Sequence, residues 1–292
     1  MFDWRYLSPE MTSRGYRVVR MDLPGHGETK RSALKDPDDG SARSMSAYVR
    51  NVMEELGTDV LTHAPILVGH SIGTETVVEM ATQSLRSKNF NVGGLVLICP
   101  IGRRAHRGLT GGIGKTNLSL FLMPILKCFG SFKYRLAKAF SVRAFGFPTR
   151  NPGEEYYWMF QRASQIDFNR NASNLDSLSR ASFPTLICHG TSDPLMETPI
   201  HREMLDGWLS YHNLTSRTQT SETERITFVR DSFRFVTFVR ENHYVGLKGS
   251  VPRVADHIEN WFENRYSRNF ENTLTGFRLH LLNRKRDWTL EK

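Results

Sequence analysis

Three side chains of this sequence have the types and settings for covalent catalysis: Ser71, Asp193 and His243. Ser71 lies in Gly69-His70-Ser71-Ile72-Gly73, a G-x-S-x-G. The apolar run before it, PILV at 65–68, reads as a strand. Residues 72–86 after it read as a helix burying Val77, Met80 and Ala81. A chain that reverses between strand and helix so abruptly holds its serine in a strained conformation, and its neighbours are expected to be small. The helix N-terminus favours negative charge developing beside the serine. A serine hydroxyl is a weak nucleophile at neutral pH and needs a base that a third group orients. After such an elbow the expected order is acid, then His. The run FPTLIC (183–188) leads into His189-Gly190-Thr191-Ser192-Asp193-Pro194, and FVTFV (235–239) into Arg240-Glu241-Asn242-His243. Asp193 and His243 then fall at the C-terminal ends of strands, where open α/β sheets assemble their sites. Glu197 stays open as an alternative acid, with Asp193 then only capping its loop. His243 has fewer rivals, since His26, His70 and His189 belong to turn motifs, and His106, His201, His212 and His257 fall elsewhere.

The elements that must position these groups alternate between short apolar runs and amphipathic segments, the pattern of a mostly parallel sheet with helices on both faces. Tyr16–Met21 (YRVVRM) reads as a strand. Met45, Tyr48, Val49, Val52, Met53 and Leu56 recur at helical spacing. Gly94–Cys99 (GLVLIC) is a further strand, and Val254, Ile258, Trp261 and Phe262 mark a last helix that Pro252 opens. Residues 103–175 break the alternation. They carry helical candidates rich in Phe, Leu and Tyr and no strand pattern, and are expected to form a helical cap over the sheet. Phe121, Leu122, Ile125, Leu126, Phe129 and Phe132 either line a lipophilic pocket there or form the core of the cap itself. The polar stretch 209–225 reads as a loop. Just beyond it TFVR occurs at 227–230 and again at 237–240. The expected organisation is a core of 1–102 and 176–268, the cap at 103–175, and an extension at 269–292.

Composition narrows the function. The chain has 292 residues, 39% of them hydrophobic, enough for one sizeable core. The formal net charge of +9 is compatible with nucleic acid or a membrane surface, but the basic residues are spread out, so no nucleic-acid partner is expected. Arg103, Arg104, His106 and Arg107 open the cap either as a solvated face or as a greeting for an acidic substrate group. Three cysteines without close spacing imply neither a disulfide framework nor zinc; Cys99 and Cys188 read as buried strand thiols. Gly114-Lys115-Thr116 is not a phosphate loop, because Leu109 stands where the first glycine is needed. No HExxH or CxxC occurs, so no metal and no cofactor is implied. The apolar stretch 118–126 is too short for a transmembrane segment. With no leader pattern at the start, a cytoplasmic location is expected.

Taken together, these motifs resemble the α/β-hydrolase superfamily, in the branch that includes many esterases, lipases and epoxide hydrolases. Asp22-Leu23-Pro24-Gly25-His26-Gly27 is similar to the family's D-x-P-G-H-G turn, GHSIG (69–73) to the elbow, HGTSDP (189–194) to the acid loop, and ENHYV (241–245) to the histidine loop. The resemblance covers residues 1 to about 266, apart from the cap and the 209–225 stretch. It implies an oxyanion hole with the backbone N–H of Ile72 as one donor. It also implies three earlier strands and an H-G loop supplying the second donor. The chain opens at what resembles the helix after that loop, so the Tyr16 strand is expected to lack its usual neighbour. The implied activity is a cofactor-independent serine hydrolase on an ester-like bond of a small, lipophilic substrate. The alternative is an impaired or non-catalytic binding protein, or a fragment, of the same fold.

Overall fold

The computed structural model describes residues 4–57, 64–87, 90–111, 117–145, 151–212, 216–229, 233–246 and 249–270. Gly114-Lys115-Thr116, residues 213–215 of the polar stretch, Arg230 and the extension from 271 onward lie outside the described residues. The chain forms two compact units, Met21–Val245 and a smaller one of Phe2–Arg20 with Gly246–Lys292.

In the smaller unit, helix α1 (Leu7–Ser13) packs on the long C-terminal helix that starts at Val251. Arg14 ties the two together through Glu10, Asp256 and Glu259. The Tyr16 ring meets Phe262 edge-on. The strand expected at Tyr16–Met21 does not form. Residues 16–23 join no ladder, and Val18 and Val19 are exposed. Two β-branched residues supply strand propensity, but a strand needs a neighbouring strand and a buried apolar face, and among the described residues no strand pairs with this segment.

The larger unit is built on a six-stranded sheet, β1 (Ile66–His70), β2 (Gly94–Ile98), β3 (Thr185–Gly190), β4 (Arg217–Thr220), β5 (Glu224–Val229) and β6 (Phe233–Phe238), in the order β1-β2-β3-β6-β5-β4. The first four in that order run parallel. β2 and β3 are buried at every position, as strands covered on both faces must be, and this is why they read as unbroken apolar runs. Helix α2 (Ala42–Glu55) starts on Ser41, whose hydroxyl accepts the N–H of Ser44. Helix α3 (Gly73–Ser84) follows β1 directly. Leu67, Leu95, Leu97 and Ile187 of one sheet face form a continuous core with Val78 and Met80 of α3.

The polar stretch 209–225 is not a loop. It holds the end of the helix Thr198–His212, all of β4 and the start of β5. β4 and β5 pair antiparallel, with Thr218 opposite Thr227. β4 is exposed along its length, so it has no apolar alternation to betray it. Thr227–Val229 of the first TFVR copy fall on β5 and Thr237–Phe238 of the second on its antiparallel neighbour β6, with Thr227 opposite Phe235 and Thr237 opposite Arg225.

Between β2 and β3 the described residues hold helices and no strand. These are α4 (Arg107–Thr110), α5 (Ser119–Lys127), α6 (Lys133–Phe145), α7 (Gly153–Ser164) and α8 (Phe168–Arg180). Two buried polar contacts fasten them to the sheet unit. Glu79 of α3 accepts hydrogen bonds from Arg170 and Asn174 of α8. Trp158 of α7 is fully buried and donates its Nε1–H to the Pro24 carbonyl at 2.6 Å. The glycine of that turn is needed for the contact. Gly25 has φ +84°, and a Cβ on it would lie 2.1 Å from the indole. Gly25→Ala is therefore expected to cost about 1–3 kcal/mol, as overpacking against a ring that cannot retreat. Urea unfolding reads this directly; an unchanged midpoint would show that Trp158 is not wedged there.

Candidate active site

Parallel strands place their carboxyl ends on one edge, but not close enough. At about 4.8 Å per strand, β1 and β6 lie roughly 14 Å apart. The loops must supply the convergence. Ser71 follows β1 directly with φ +52°, a left-handed backbone that a side chain rarely adopts. Its amide donates to Ile98 O of β2, which fixes the turn. The histidine loop folds back across the sheet edge and is pinned from both sides. Thr191 N–H donates to Phe238 O, Ser192 N–H to Glu241 O, and Arg240 N–H to the Thr191 hydroxyl. His70, next to the serine, donates Nε2–H to the carbonyl of His243 itself at 2.8 Å. Gly190 makes the approach possible, because a Cβ there would lie 2.2 Å from Glu241 O.

The result is one hydrogen-bonded line. His243 Nε2 lies 2.9 Å from Ser71 Oγ, and His243 Nδ1 lies 2.7 Å from Asp193 Oδ2. The carboxylate can only accept, so Nδ1 carries the proton and Nε2 presents its lone pair to the serine hydroxyl. Asp193 Oδ1 accepts the amides of Leu195 and Met196, at 2.8 and 2.9 Å. Burial alone would push the Asp193 carboxyl up. The His243 hydrogen bond and the two amides outweigh it and hold the group below the usual carboxylate range. Glu197, the alternative acid, is engaged elsewhere. It accepts the Arg107 amide at 2.7 Å and lies 3.9 Å from Arg104. Ile72 caps α3, and its N–H has no hydrogen-bond partner among the described residues.

A cavity of about 500 Å³ opens on Ser71 and Ile72. Its walls are largely apolar and come from the helices between β2 and β3, with Leu118, Leu122, Phe140 and Met159 prominent. His106, expected only as one member of a basic cluster, also lines it and is buried. Its Nδ1–H donates to Leu195 O at 3.0 Å, and burial pushes the ring down to about 4. The ring is thus neutral near pH 7, and its remaining nitrogen can only accept. Of the basic cluster, Arg103 pairs with Asp176 and Arg104 with Glu203, while Arg107 is exposed at the cavity wall.

Two buried ionisable groups sit behind the elbow. Burial pushes Glu75, in the first turn of α3, up to about 7. Burial also pushes Arg162 of α7 down to about 10, against the pull of Glu75. Arg162 donates to His26 of the Gly25 turn at 3.2 Å. His70, Cys99 and His243 offer ligand atoms within 4.8 Å of one another, a donor set that suits a thiophilic ion. Both nitrogens of His243 are, however, already engaged by Ser71 and Asp193.

A model of the Alpha/beta hydrolase family matches residues 1–245. Among curated proteins, the chain is 37% identical over 100 residues to protein phosphatase methylesterase 1 of Pongo abelii, covering 34% of this chain and 23% of that one. It is 39% identical over 83 residues to the Homo sapiens protein of the same name, covering 28% and 20%. The matched stretch spans about a fifth of the length of these relatives. Among solved structures, an esterase from Exiguobacterium antarcticum superposes with TM-score 0.58 at 16% identity, covering 89% of this chain and 86% of that one. A meta-cleavage product hydrolase from Pseudomonas fluorescens gives 0.56 at 19%, covering 90% and 85%. At these identities the structural likeness speaks for the fold alone.

The elbow's two glycines differ in what they do. A Cβ on Gly69 would lie 2.7 Å from Val77 Cγ2 and 2.9 Å from Thr74 Cα, forcing α3 off β1. A Cβ on Gly73 meets nothing within 4 Å. The sequence expectation that both neighbours must be small therefore holds sterically for Gly69 alone. Gly69→Ala should cost about 1–3 kcal/mol. Gly73→Ala, in the first turn of a helix, should be neutral or stabilising by up to about 1 kcal/mol. Urea titrations of both variants test the contrast; equal losses would refute it.

Proposed function

The chain belongs to the alpha/beta hydrolase family, and on that premise we propose that it is a serine hydrolase cleaving a carboxylic ester of a small, lipophilic substrate. The observation that carries this reading is the line Asp193–His243–Ser71, in which every proton has one place to go. Ser71 Oγ attacks the ester carbonyl as His243 Nε2 takes its proton. Asp193 steadies the imidazolium through Nδ1–H. The oxyanion that forms turns toward the free N–H of Ile72 at the start of α3. Collapse breaks the bond to the alcohol, which leaves with the proton from His243. A water molecule, deprotonated by the same nitrogen, then releases the acid and restores Ser71.

The cavity supports a lipophilic acyl or alcohol group, since Leu118, Leu122, Phe140 and Met159 offer it no polar partner. His106 offers one acceptor, so a substrate carrying a hydroxyl or N–H near the ester is favoured over one that does not. The identity with a methylesterase, short as it is, supports an ester over other acyl bonds.

The test pairs a fluorophosphonate probe with p-nitrophenyl esters of increasing chain length. Labelling and turnover are expected in the intact chain and absent in Ser71→Ala. Asp193→Asn should lower kcat on the order of 10⁴-fold, because the asparagine amide would hold His243 in the wrong tautomer. A folded protein that takes no label, or a Ser71→Ala variant that still does, would overturn the assignment in favour of a non-catalytic member of the family.

A further inference from the structure

The apolar residues of the cap divide in a way neither sequence reading foresaw. Helix α5 (SLFLMPILK) has no charged residue before Lys127, so all of its faces are apolar. Met123 and Leu126 are buried with Tyr156, Tyr157 and Phe160 in the core of the helices that surround them. Leu122 faces the cavity at Ser71. The third face is bare. Phe121 is 60% exposed, Ile125 56%, Phe129 47% and Phe132 50%. Phe121 and Ile125 share one face of α5 at i and i+4, and Phe129 and Phe132 are exposed in the turn that follows the helix. Leu120 beside them is 52% exposed. A helix that is apolar all round is ordinarily buried on every side, and an exposed patch of this kind marks an interaction site.

The charge around the patch says what covers it. From Ile101 to Gly153 the sequence contains no Asp or Glu, while Lys127, Lys133, Arg135, Lys138 and Arg143 follow or flank the patch. Among the described residues, none of Lys127, Arg135, Lys138 and Arg143 is in an ion pair. The chain's charge is spread in sequence, yet residues 127–143 carry five cations and no acidic residue, in the stretch that also holds the exposed Phe129, Phe132 and Phe140. That combination is the signature of a surface that lies in an anionic lipid interface, with aromatic and aliphatic groups among the acyl chains and lysines at the headgroups. Among the described residues no helix is long and apolar enough to cross a membrane, so the contact is with the surface. The patch is also continuous with the site. Leu118, Leu122 and Phe140 line the cavity from the same helices, and Phe140 is itself 40% exposed.

We propose that the face formed by α5 and the turn after it, Phe121–Phe132, docks on a membrane surface rich in anionic lipid, and delivers lipophilic substrate from the bilayer to the cavity at Ser71. The attachment is independent of turnover, so it is read first in the Ser71→Ala chain, where failure of the hydrolase reading cannot disguise it.

The experiment is flotation of the full chain with vesicles of phosphatidylcholine alone and with about one-third phosphatidylserine. Binding is expected on the anionic vesicles, falling as salt is raised. Phe121→Ser with Ile125→Ser should weaken partitioning at least about tenfold. Lys127→Glu with Lys138→Glu should remove the preference for anionic lipid, at about fivefold for each cation lost. Because these side chains are exposed, unfolding transitions should match the parent; Phe129→Ser with Phe132→Ser serves as a second apolar pair if they do not. Three results would overturn the proposal. They are no flotation on either vesicle, flotation untouched by both apolar pairs, and a dimer by light scattering that Phe121→Ser dissociates, which would give the patch to a second copy of the chain.

Discussion

The site depends on one contact made by a glycine. Parallel strands put serine, acid and histidine on the same sheet edge but leave β1 and β6 three strands apart. Only a histidine loop lying directly on the acid loop closes that distance. Gly190 lets the Glu241 carbonyl come within a distance that no side chain would allow. Ser192 and Thr191 then fix it by hydrogen bonds. With the loop seated, the His243 carbonyl lands on His70 and its ring lands between Asp193 and Ser71. His70, the residue between Gly69 and Ser71, thus steadies His243 from the serine side, while Asp193 steadies it from the other.

The same logic of close approach governs the helices over the site. The Gly25 turn lies far from Ser71 in sequence, yet it carries the indole of Trp158 and the His26 ring that Arg162 donates to. Trp158 and Arg162 both belong to α7, whose Met159 and Phe160 line the cavity. The turn therefore sets the position of the cavity wall without touching it. Glu75 and Arg162 are buried behind the elbow, where their charges interact across little water. Burial acts on both in the direction of neutrality, and each resists for the other.

The legible parts of the chain were those in which one strong constraint acts on a short stretch. The elbow, the acid loop and the histidine loop each need particular small or functional residues at fixed spacing, and Ser71, Asp193 and His243 converge in the structure at hydrogen-bonding distance. β2 and β3 were legible because burial on both faces leaves only apolar residues. The misreadings arose where burial and propensity part company. Tyr16–Met21 has the β-branched residues of a strand but no buried face. β4 has a strand's hydrogen bonds but no apolar face, so its Arg-Thr-Gln-Thr read as a loop. His106 read as one member of a basic cluster, yet it is buried and neutral, held by a carbonyl 89 positions away, Leu195 O, which no local pattern could announce.

Helix α5 was ambiguous for a deeper reason. Hydrophobic residues in sequence state only that water is unfavourable for them; they do not state what replaces it. In α5 the replacement differs on three faces of nine residues: protein for Met123 and Leu126, the cavity for Leu122, and, among the described residues, nothing for the outer faces of Phe121 and Ile125. A helix built to fold alone would carry charge on that last face, as α2 does on its own outer side with Arg50 and Glu54. Here the charges are all of one sign and come after the apolar face rather than upon it. Charge of one sign does not stabilise a fold, since it repels itself, and it offers nothing to the apolar patch. Beside a surface of the opposite sign that also admits hydrocarbon, as we propose for this face, the cations and the apolar groups are favourable together.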